Sequence, residues 1–332
     1  MPRITPPNLG RRHFHRSASA FALSLLPLER AAAALNPRAV TGEQLWLELD
    51  GALARARAAE GGHPRAELTT LPPPRPGMAP QKQVVGLRTP ELAVDLLPDV
   101  PKLVLEWINS AAAGQDMPRS GQLITTDHNA IERQRLAFKN AVVTGFEFDA
   151  LDAREPLVSL LTLRLQAESA TATPGSGRPV SAPPSSKASG IGGFRLRIKG
   201  LEEACSRIVR IEPFGARRSA AAGGRLDTTP LVLLLPNDAS AAAFYEWHAD
   251  FVLRGNHDAS RERPGVIELM SRSGTEVVMT LSFGGIGIVA CTPDATPDPA
   301  TGGRRARVEL YFETLTLGTG NVGGGAPLLP RK

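Results

Sequence analysis

The second half of the chain repeats the plan of its first, and that duplication limits the fold more than any other feature. Glu106-Trp107 and Glu246-Trp247 each sit in a short apolar helical stretch, and each follows a Thr-Pro dipeptide (Thr89-Pro90, Thr229-Pro230) by the same spacing. Upstream, Leu45-Trp46-Leu47-Glu48-Leu49-Asp50-Gly51 is echoed by Phe194-Arg195-Leu196-Arg197-Ile198-Lys199-Gly200. Downstream, Leu136-Ala137-Phe138 is echoed by Leu281-Ser282-Phe283, and Leu161-Thr162-Leu163-Arg164-Leu165 by Glu313-Thr314-Leu315-Thr316-Leu317. A repeat of this size means two copies of one domain rather than a solenoid of short units. In a chain of 332 residues each copy is long enough to bury its own core.

Copy one covers residues 40–168 and copy two residues 191–320. Residues 169–190, rich in Ser, Ala, Pro, Thr and Gly, read as a linker between them; residues 1–39 form a basic arm and 321–332 a Gly-rich tail. The net charge of +5 misleads if taken globally. Copy one holds 13 basic against 17 acidic residues and copy two 15 of each, so the surplus lies on arm, linker and tail. A cationic groove for nucleic acid is not indicated, and sequence-specific nucleic-acid binding is not expected.

The arm carries Gly10-Arg11-Arg12-His13-Phe14-His15-Arg16, then a weakly apolar run from Ser17 to Leu28 and alanines from Ala31 to Ala34. Basic region, short apolar region and small residues are the order of an export signal. The segment resembles a twin-arginine translocation signal, although His15 replaces the usual leucine and Glu29-Arg30 interrupts the approach to the alanines. The other reading is a flexible basic arm that docks on a neighbouring subunit. No stretch reaches the ~20 continuous apolar residues of a bilayer-spanning helix, so no membrane span is expected. Cys205 and Cys291 both fall in copy two without metal or redox spacing, and read as buried free thiols; a disulfide would require export.

Alternation of Leu45, Leu47 and Leu49 with Trp46, Glu48 and Asp50 predicts a half-buried strand, and Phe194, Leu196 and Ile198 alternate in the same way with Arg195, Arg197 and Lys199. Further strands are expected at Leu92–Leu97, Gln122–Thr126, Arg135–Val143 and Val158–Leu165. Their counterparts are Leu231–Leu235, Val266–Ser271, Val277–Phe283 with Ile286–Ala290, and Val308–Leu317. Each copy carries one helix. In the first, Asp99 is the expected cap and Val104, Trp107, Ile108 and Ala111 share a face; in the second, Phe244, Trp247 and Phe251 do, and Gly255-Asn256 ends the helix. Trp107 and Trp247 read as core anchors of helix on sheet. The predicted fold is mainly β: two tandem antiparallel β-sandwich or barrel modules, each with one flanking α-helix.

One module reads as a strand ending in Asp/Lys-Gly, a second strand, a long loop, a strand, a Trp-bearing helix, a β hairpin, a variable loop and a final alternating strand. The fragments that carry this order best are Phe244-Tyr245-Glu246-Trp247-His248, Arg263-Pro264-Gly265-Val266-Ile267-Glu268-Leu269, Ser273-Gly274-Thr275-Glu276-Val277 and Val308-Glu309-Leu310 through Thr314-Leu315-Thr316-Leu317. Copy one shows it through Leu47-Glu48-Leu49-Asp50-Gly51, Leu105-Glu106-Trp107 and Phe138-Lys139-Asn140-Ala141. Nearly everything from 40 to 320 is similar to the tail tube protein family of contractile-tailed phages, including the inner-tube proteins of related contractile injection systems. Two copies per chain, the export-like arm and the Pro-rich loop Leu71–Pro80 depart from that pattern.

The resemblance implies modules joined edge to edge around a β-lined channel, as a homo-oligomer with other tube, hub or baseplate proteins as partners. Three chains would then give a pseudo-hexameric ring, or six chains two stacked rings. It favours assembly in the cytoplasm into a tail-like particle; export through the twin-arginine-like signal is the alternative. The opposed charges of Glu48 and Asp50 against Arg195, Arg197 and Lys199 form candidate inter-subunit faces, with two unrelated solvated faces as the other reading. A different class of function is an exported β-sandwich binding module for surface glycan or protein.

Catalysis is not expected. Asp127-His128 and His257-Asp258 pair acid with imidazole, with His248 near in sequence, but neither has metal-ligand spacing. Gly284-Gly285-Ile286-Gly287 follows a strand without opening a helix, which predicts a β-bulge or bend rather than a phosphate loop. No nucleophile elbow or carboxylate pair stands out, and no catalytic residue, metal or cofactor is expected.

Overall fold

A computed structural model describes residues 43–73, 79–155, 157, 160–181, 190–219 and 224–320. The basic arm, 1–39, and the Gly-rich tail, 321–332, lie outside these residues. The chain is mainly β, built as two barrel-like sheets with few helices.

Copy one contains β1 (Gln44–Leu49), β2 (Ala52–Gly61), a hairpin of β3 (Arg65–Leu71) and β4 (Gln81–Arg88), β5 (Leu92–Leu96), α1 (Lys102–Ala112), β6 (Arg119–Thr126), β7 (Glu132–Phe148), β8 (Leu151–Asp152), β9 (Leu161–Gln166) and β10 (Ser169–Pro174). Copy two contains β11 (Ile191–Ile198), α2 (Glu202–Cys205), β12 (Arg210–Ile211), a hairpin of β13 (Phe214–Arg218) and β14 (Leu226–Thr228), β15 (Leu231–Pro236), α3 (Ala242–His248), β16 (Arg263–Ser271), β17 (Val277–Pro293), β18 (Arg305–Tyr311) and β19 (Thr314–Thr319). All strand pairs are antiparallel.

The long strand β7 is the spine of copy one. Its first half lies between β6 and β10, and its second half reaches β9. The path β7–β6–β1–β2–β5–β9 therefore returns to β7 and closes a barrel. In copy two β17 has the same length and the same neighbours in the same order: β16 and β19 flank its first half, and β18, then β15, follow from its second.

The registers agree residue by residue. Phe138 pairs with Gly121 and Ala170, as Phe283 pairs with Gly265 and Leu315. The ladder to β9 slips between Val143 and Gly145, and the ladder to β18 slips at the same step, between Ile288 and Ala290. Just before each slip the backbone enters the left-handed region, at Asn140 (φ 48°) and Gly285 (φ 65°), the residue types that tolerate it. The Gly284–Gly287 run thus holds one of the two places where the β16–β17 ladder is irregular.

Leu47, Leu49, Leu136 and Phe138 of copy one and Leu196, Ile198, Leu281 and Phe283 of copy two are buried, as period-two alternation demands. They belong to one apolar cluster that runs through both copies.

Several details differ from the sequence reading. The counterpart of Leu161–Leu165 is Ala306–Leu310, not 313–317, because β5 and β15 pair with those segments in matching register; Thr314–Leu317 corresponds to β10. Two neighbouring strands with one alternation pattern cannot be told apart by pattern. The expected strand Val308–Leu317 is accordingly two, broken at Phe312-Glu313. Residues 169–190, read as a linker, begin as the strand β10 on β7. Pro101 rather than Asp99 occupies the N-cap of α1, without a side-chain cap. In copy two the helix continues past α3 as a π-helical stretch, Ala249–Leu253, before Gly255 turns at φ 75°. Trp46, on the polar face of β1, is nevertheless buried, with the Arg55 guanidinium 5.8 Å from its ring.

Candidate functional site

The chemistry of this chain concentrates where the copies meet. Residues Phe214–Arg217 of β13 pair antiparallel with Gly145–Phe148 of β7, so a copy-two strand extends the copy-one sheet. Gly215 permits the approach: a Cβ there would fall 2.0 Å from the carbonyl oxygen of Phe146. Phe214, fully buried, stacks on Phe148 (5.1 Å between centroids, 19° between planes) and reaches Phe283 at 6.1 Å. Arg218 forks onto Asp116 at 3.1 and 2.7 Å and donates to the Val143 carbonyl at 3.1 Å; Arg217 donates to Glu91 at 3.3 Å. Paired fork contacts of this kind fix orientation as well as adding energy.

Copy one reaches back. β8 pairs with β12, Arg210 donates to Asp152 at 3.1 Å, and Arg154 forks onto Asp298 with both bonds at 2.9 Å. The Asp298 carboxylate also accepts from the Ala300 and Thr301 amides at 2.8 and 3.1 Å, and Arg154 above all holds its pKa far below the usual carboxylate range. A third contact joins α1 to β19. Asn109 donates to the Leu317 carbonyl and accepts from the Leu317 amide, each at 2.8 Å, so one side chain caps the outer edge of a strand.

These contacts are unlike on their two sides. Copy one contributes the end of β7, β8 and α1; copy two contributes the β13–β14 hairpin, β12 and β19. A two-fold seam would also seat β3–β4 on β17. Instead β3 and β4 form a two-stranded sheet of their own. The seam is heterologous, head to tail.

Four of the five charged residues singled out in the sequence have side-chain partners inside the chain. Glu48 accepts from Gln122, Asp50 is paired with Arg119 at 2.9 Å, and Arg195 and Arg197 both reach the buried Glu268, at 3.4 and 2.6 Å. Lys199 is exposed and its carbonyl accepts from Arg263 at 2.9 Å. β1 lies within the barrel between β2 and β6, whereas β11 lies at the end of its sheet beside β16. Trp107 is buried with its indole donating to the Met117 carbonyl at 2.8 Å; Trp247 is buried with the Arg263 guanidinium 4.8 Å from its ring.

Asp127 accepts from the Ile131 amide, from Arg133 and from the Asn129 amide, and Asp258 from the Ser260 hydroxyl and amide, and these contacts lower each pKa. His257 lies against Phe251, 6.2 Å between centroids. Among the described residues no group of three or more His, Cys, Asp or Glu could hold a metal ion, and no helix is long and apolar enough to cross a membrane. Cys205 and Cys291 are free and buried, and burial pushes both thiols up to about 11.

The residues that make the seam, Phe214, Arg218, Asn109, Arg154 and Asp298, were not singled out by the sequence reading. A lone aromatic before Gly215 and an Arg-Arg doublet at 217–218 were visible, but neither names a partner far away in the chain.

No family model matches the chain, and no curated protein matches it. Among solved structures, one similar chain comes from the cryo-EM structure of the anti-feeding prophage (AFP) baseplate, 6-fold symmetrised. Identity is 9% and the TM-score 0.34, over 40% of this chain and 92% of that one. Another comes from the PVC sheath–tube complex of an extracellular contractile injection system in the extended state, with 15% identity and a TM-score of 0.32, over 44% of this chain and 97% of that one.

Proposed function

We propose that the chain is a structural subunit of a phage tail or phage-tail-like contractile injection apparatus, a duplicated tube-fold protein whose modules join edge to edge in a β-lined tube or hub ring. The observation that carries this reading is the heterologous seam. A head-to-tail contact between two like modules leaves a complementary face at each end, and such contacts either close into rings or run on as filaments. Open sheet edges are themselves a reason to assemble, because ring closure removes them.

With two modules per chain, three chains supply six positions, which suits an adaptor between a sixfold tube and a threefold hub. Six chains would instead form two stacked rings. The partners are then further copies of the chain together with other tube, hub or baseplate proteins, and the role is mechanical rather than catalytic, with no cofactor. The test is the mass of the purified assembly together with negative-stain microscopy. Rings of three chains with six similar lobes are expected; single chains at high concentration would overturn the reading.

A further inference from the structure

We infer that the β3–β4 hairpin of one chain docks on the open edge of β17 in a second copy of the same chain, repeating between chains the contact that β13–β14 makes with β7 within one. The inference rests on the assembly reading above and specifies its junction. Four observations meet here.

First, the two hairpins are counterparts. Ala59 and Ile211 pair with the equivalent residues Val94 and Leu233, and the same number of steps onward stand Arg65 and Arg217. From the other side, Arg65 pairs with Arg88 and Arg217 with Asp227, and Arg88 and Asp227 precede Leu92 and Leu231 by equal steps. Both routes give the same equivalence.

Second, the acceptor edge is open. Gly145–Phe148 of β7 carries β9 on one side and β13 on the other. Its counterpart in β17, Ala290–Pro293, pairs with β18 alone among the described residues. Third, exposed apolar side chains collect on these faces. Leu68, Val84, Val85 and Leu87 of the hairpin are 57–78% exposed, and Val289, beside the open edge, is 45% exposed. An isolated hairpin is marginal in water, and a contiguous exposed apolar patch marks an interaction site.

Fourth, the helix contact has a counterpart as well. α1 covers β19 within the chain, so α3 would cover β10 of the next. There Ala249 stands where Asn109 does, and the exposed Val252 and Leu253 follow it, so that contact is apolar.

The register follows. Arg217 pairs with Gly145, and Ala290 is the counterpart of Gly145, since they face Arg164 and Glu309. Arg65 of one chain therefore opposes Ala290 of the next. Gly215 turns its amide and carbonyl toward Thr229, so the positions that face β7 are 214 and 216, and Arg217–Gly145 is a non-hydrogen-bonded pair. Cα atoms in such pairs lie about 4.5 Å apart, within the span a disulfide accepts. Pro64, at the place of Ala216, lacks one donor, so the apolar contacts carry more of this junction than of the one within the chain.

The test uses the full chain. Leu68→Glu, Val84→Glu and Leu87→Glu combined change only exposed side chains. The variant is expected to keep the wild-type far-ultraviolet circular dichroism and a cooperative melt but to have the mass of a single chain at a concentration where wild type is assembled. Independently, Arg65→Cys with Ala290→Cys is expected to give disulfide-linked chains under oxidation on non-reducing gels, and neither single variant should. If wild type assembles while the triple variant assembles equally and the cysteine pair stays unlinked, this docking is wrong and the structural role stands. If wild type itself never assembles, the reading beneath it falls too.

Discussion

The hairpins of the two modules occupy the same place in the same fold and meet opposite fates. In copy two the hairpin is short and docked, with Phe214 buried against Phe148 and Gly215 too close to the next backbone for any side chain. In copy one it is longer, ends in the Pro-rich loop, and presents Leu and Val to solvent. The approach differs locally, since the chain enters the copy-one hairpin through Gly61 and Gly62 at φ 83° and 71° and the copy-two hairpin through Pro213. It differs too in whether an open strand end lies within reach in the same chain. The hairpin of copy two meets such an end in β7 of copy one; that of copy one pairs only within itself among the described residues.

The largest effect should come from removing the aromatic that joins the copies. Phe214→Ala deletes a fully buried ring and should cost about 3–5 kcal/mol. In urea the single unfolding transition should also separate into two as the modules uncouple. The same truncation in the free hairpin, Leu68→Ala, should change single-chain stability by less than about 0.5 kcal/mol, as at other exposed sites. Equal losses at the two positions would erase the distinction drawn between docked and free.

Asn109→Ala comes next. It leaves the Leu317 amide and carbonyl without their side-chain partner at a part-buried edge, a change worth about 1–3 kcal/mol. Hydrogen exchange at the Leu317 amide should accelerate with it. Ala249→Asn, the corresponding change in copy two, should leave single-chain stability nearly untouched.

Acid should act on the seam through Asp298. A carboxyl held below its ordinary value stabilises the fold above about pH 4, the range where the unfolded group is ionised, and that stabilisation is lost as pH falls toward the folded value. Melting temperature should therefore drop on acidification below about pH 4, and Arg154→Met should lower the neutral plateau and flatten the drop. Glu132, pushed down to about 2 chiefly by Arg135, gives copy one an acid limb with the same sign. Its counterpart position in copy two is Val277. Glu132→Gln should accordingly remove part of the limb without uncoupling the modules, which separates acid effects inside a barrel from those at the seam.

The mainly β class, the strand alternation and the two tryptophan helices were legible because each depends on residues close in sequence. Leu47-Glu48-Leu49 states its own pairing face, and Phe138 and Phe283 mark one another. The cross-over of β8 and β13 between sheets was not legible. Leu151-Asp152 and Arg210-Ile211 are two-residue strands whose existence depends on which edge is left open after everything else has paired. Ser169–Pro174 has linker composition, and it becomes a strand because β7 extends past β9 and offers a bare edge opposite β6. Edge availability is a property of the assembled sheet and leaves no local mark.

The smallest effect expected concerns the charges on β11, and it bears on what joins one module to the next. Arg195 and Arg197 converge on Glu268, which is buried, so their charge is already engaged within copy two. Exposed or half-exposed ion pairs contribute about 0–1 kcal/mol. Reversal at Arg197 adds the loss of a partner to a buried carboxylate, so Arg195→Glu, Arg197→Glu and Lys199→Glu together should lower the melting temperature modestly. If modules join through hairpins and open strand ends, assembly mass and its salt dependence should stay those of wild type. If β11 instead meets the Glu48 and Asp50 face of another chain, the same reversal should dissolve the assembly at low salt, where unscreened repulsion is strongest. Sedimentation of the reversed variant across a salt series separates charge-directed pairing from strand addition, and only the second outcome would move the junction from the hairpin to the first strand.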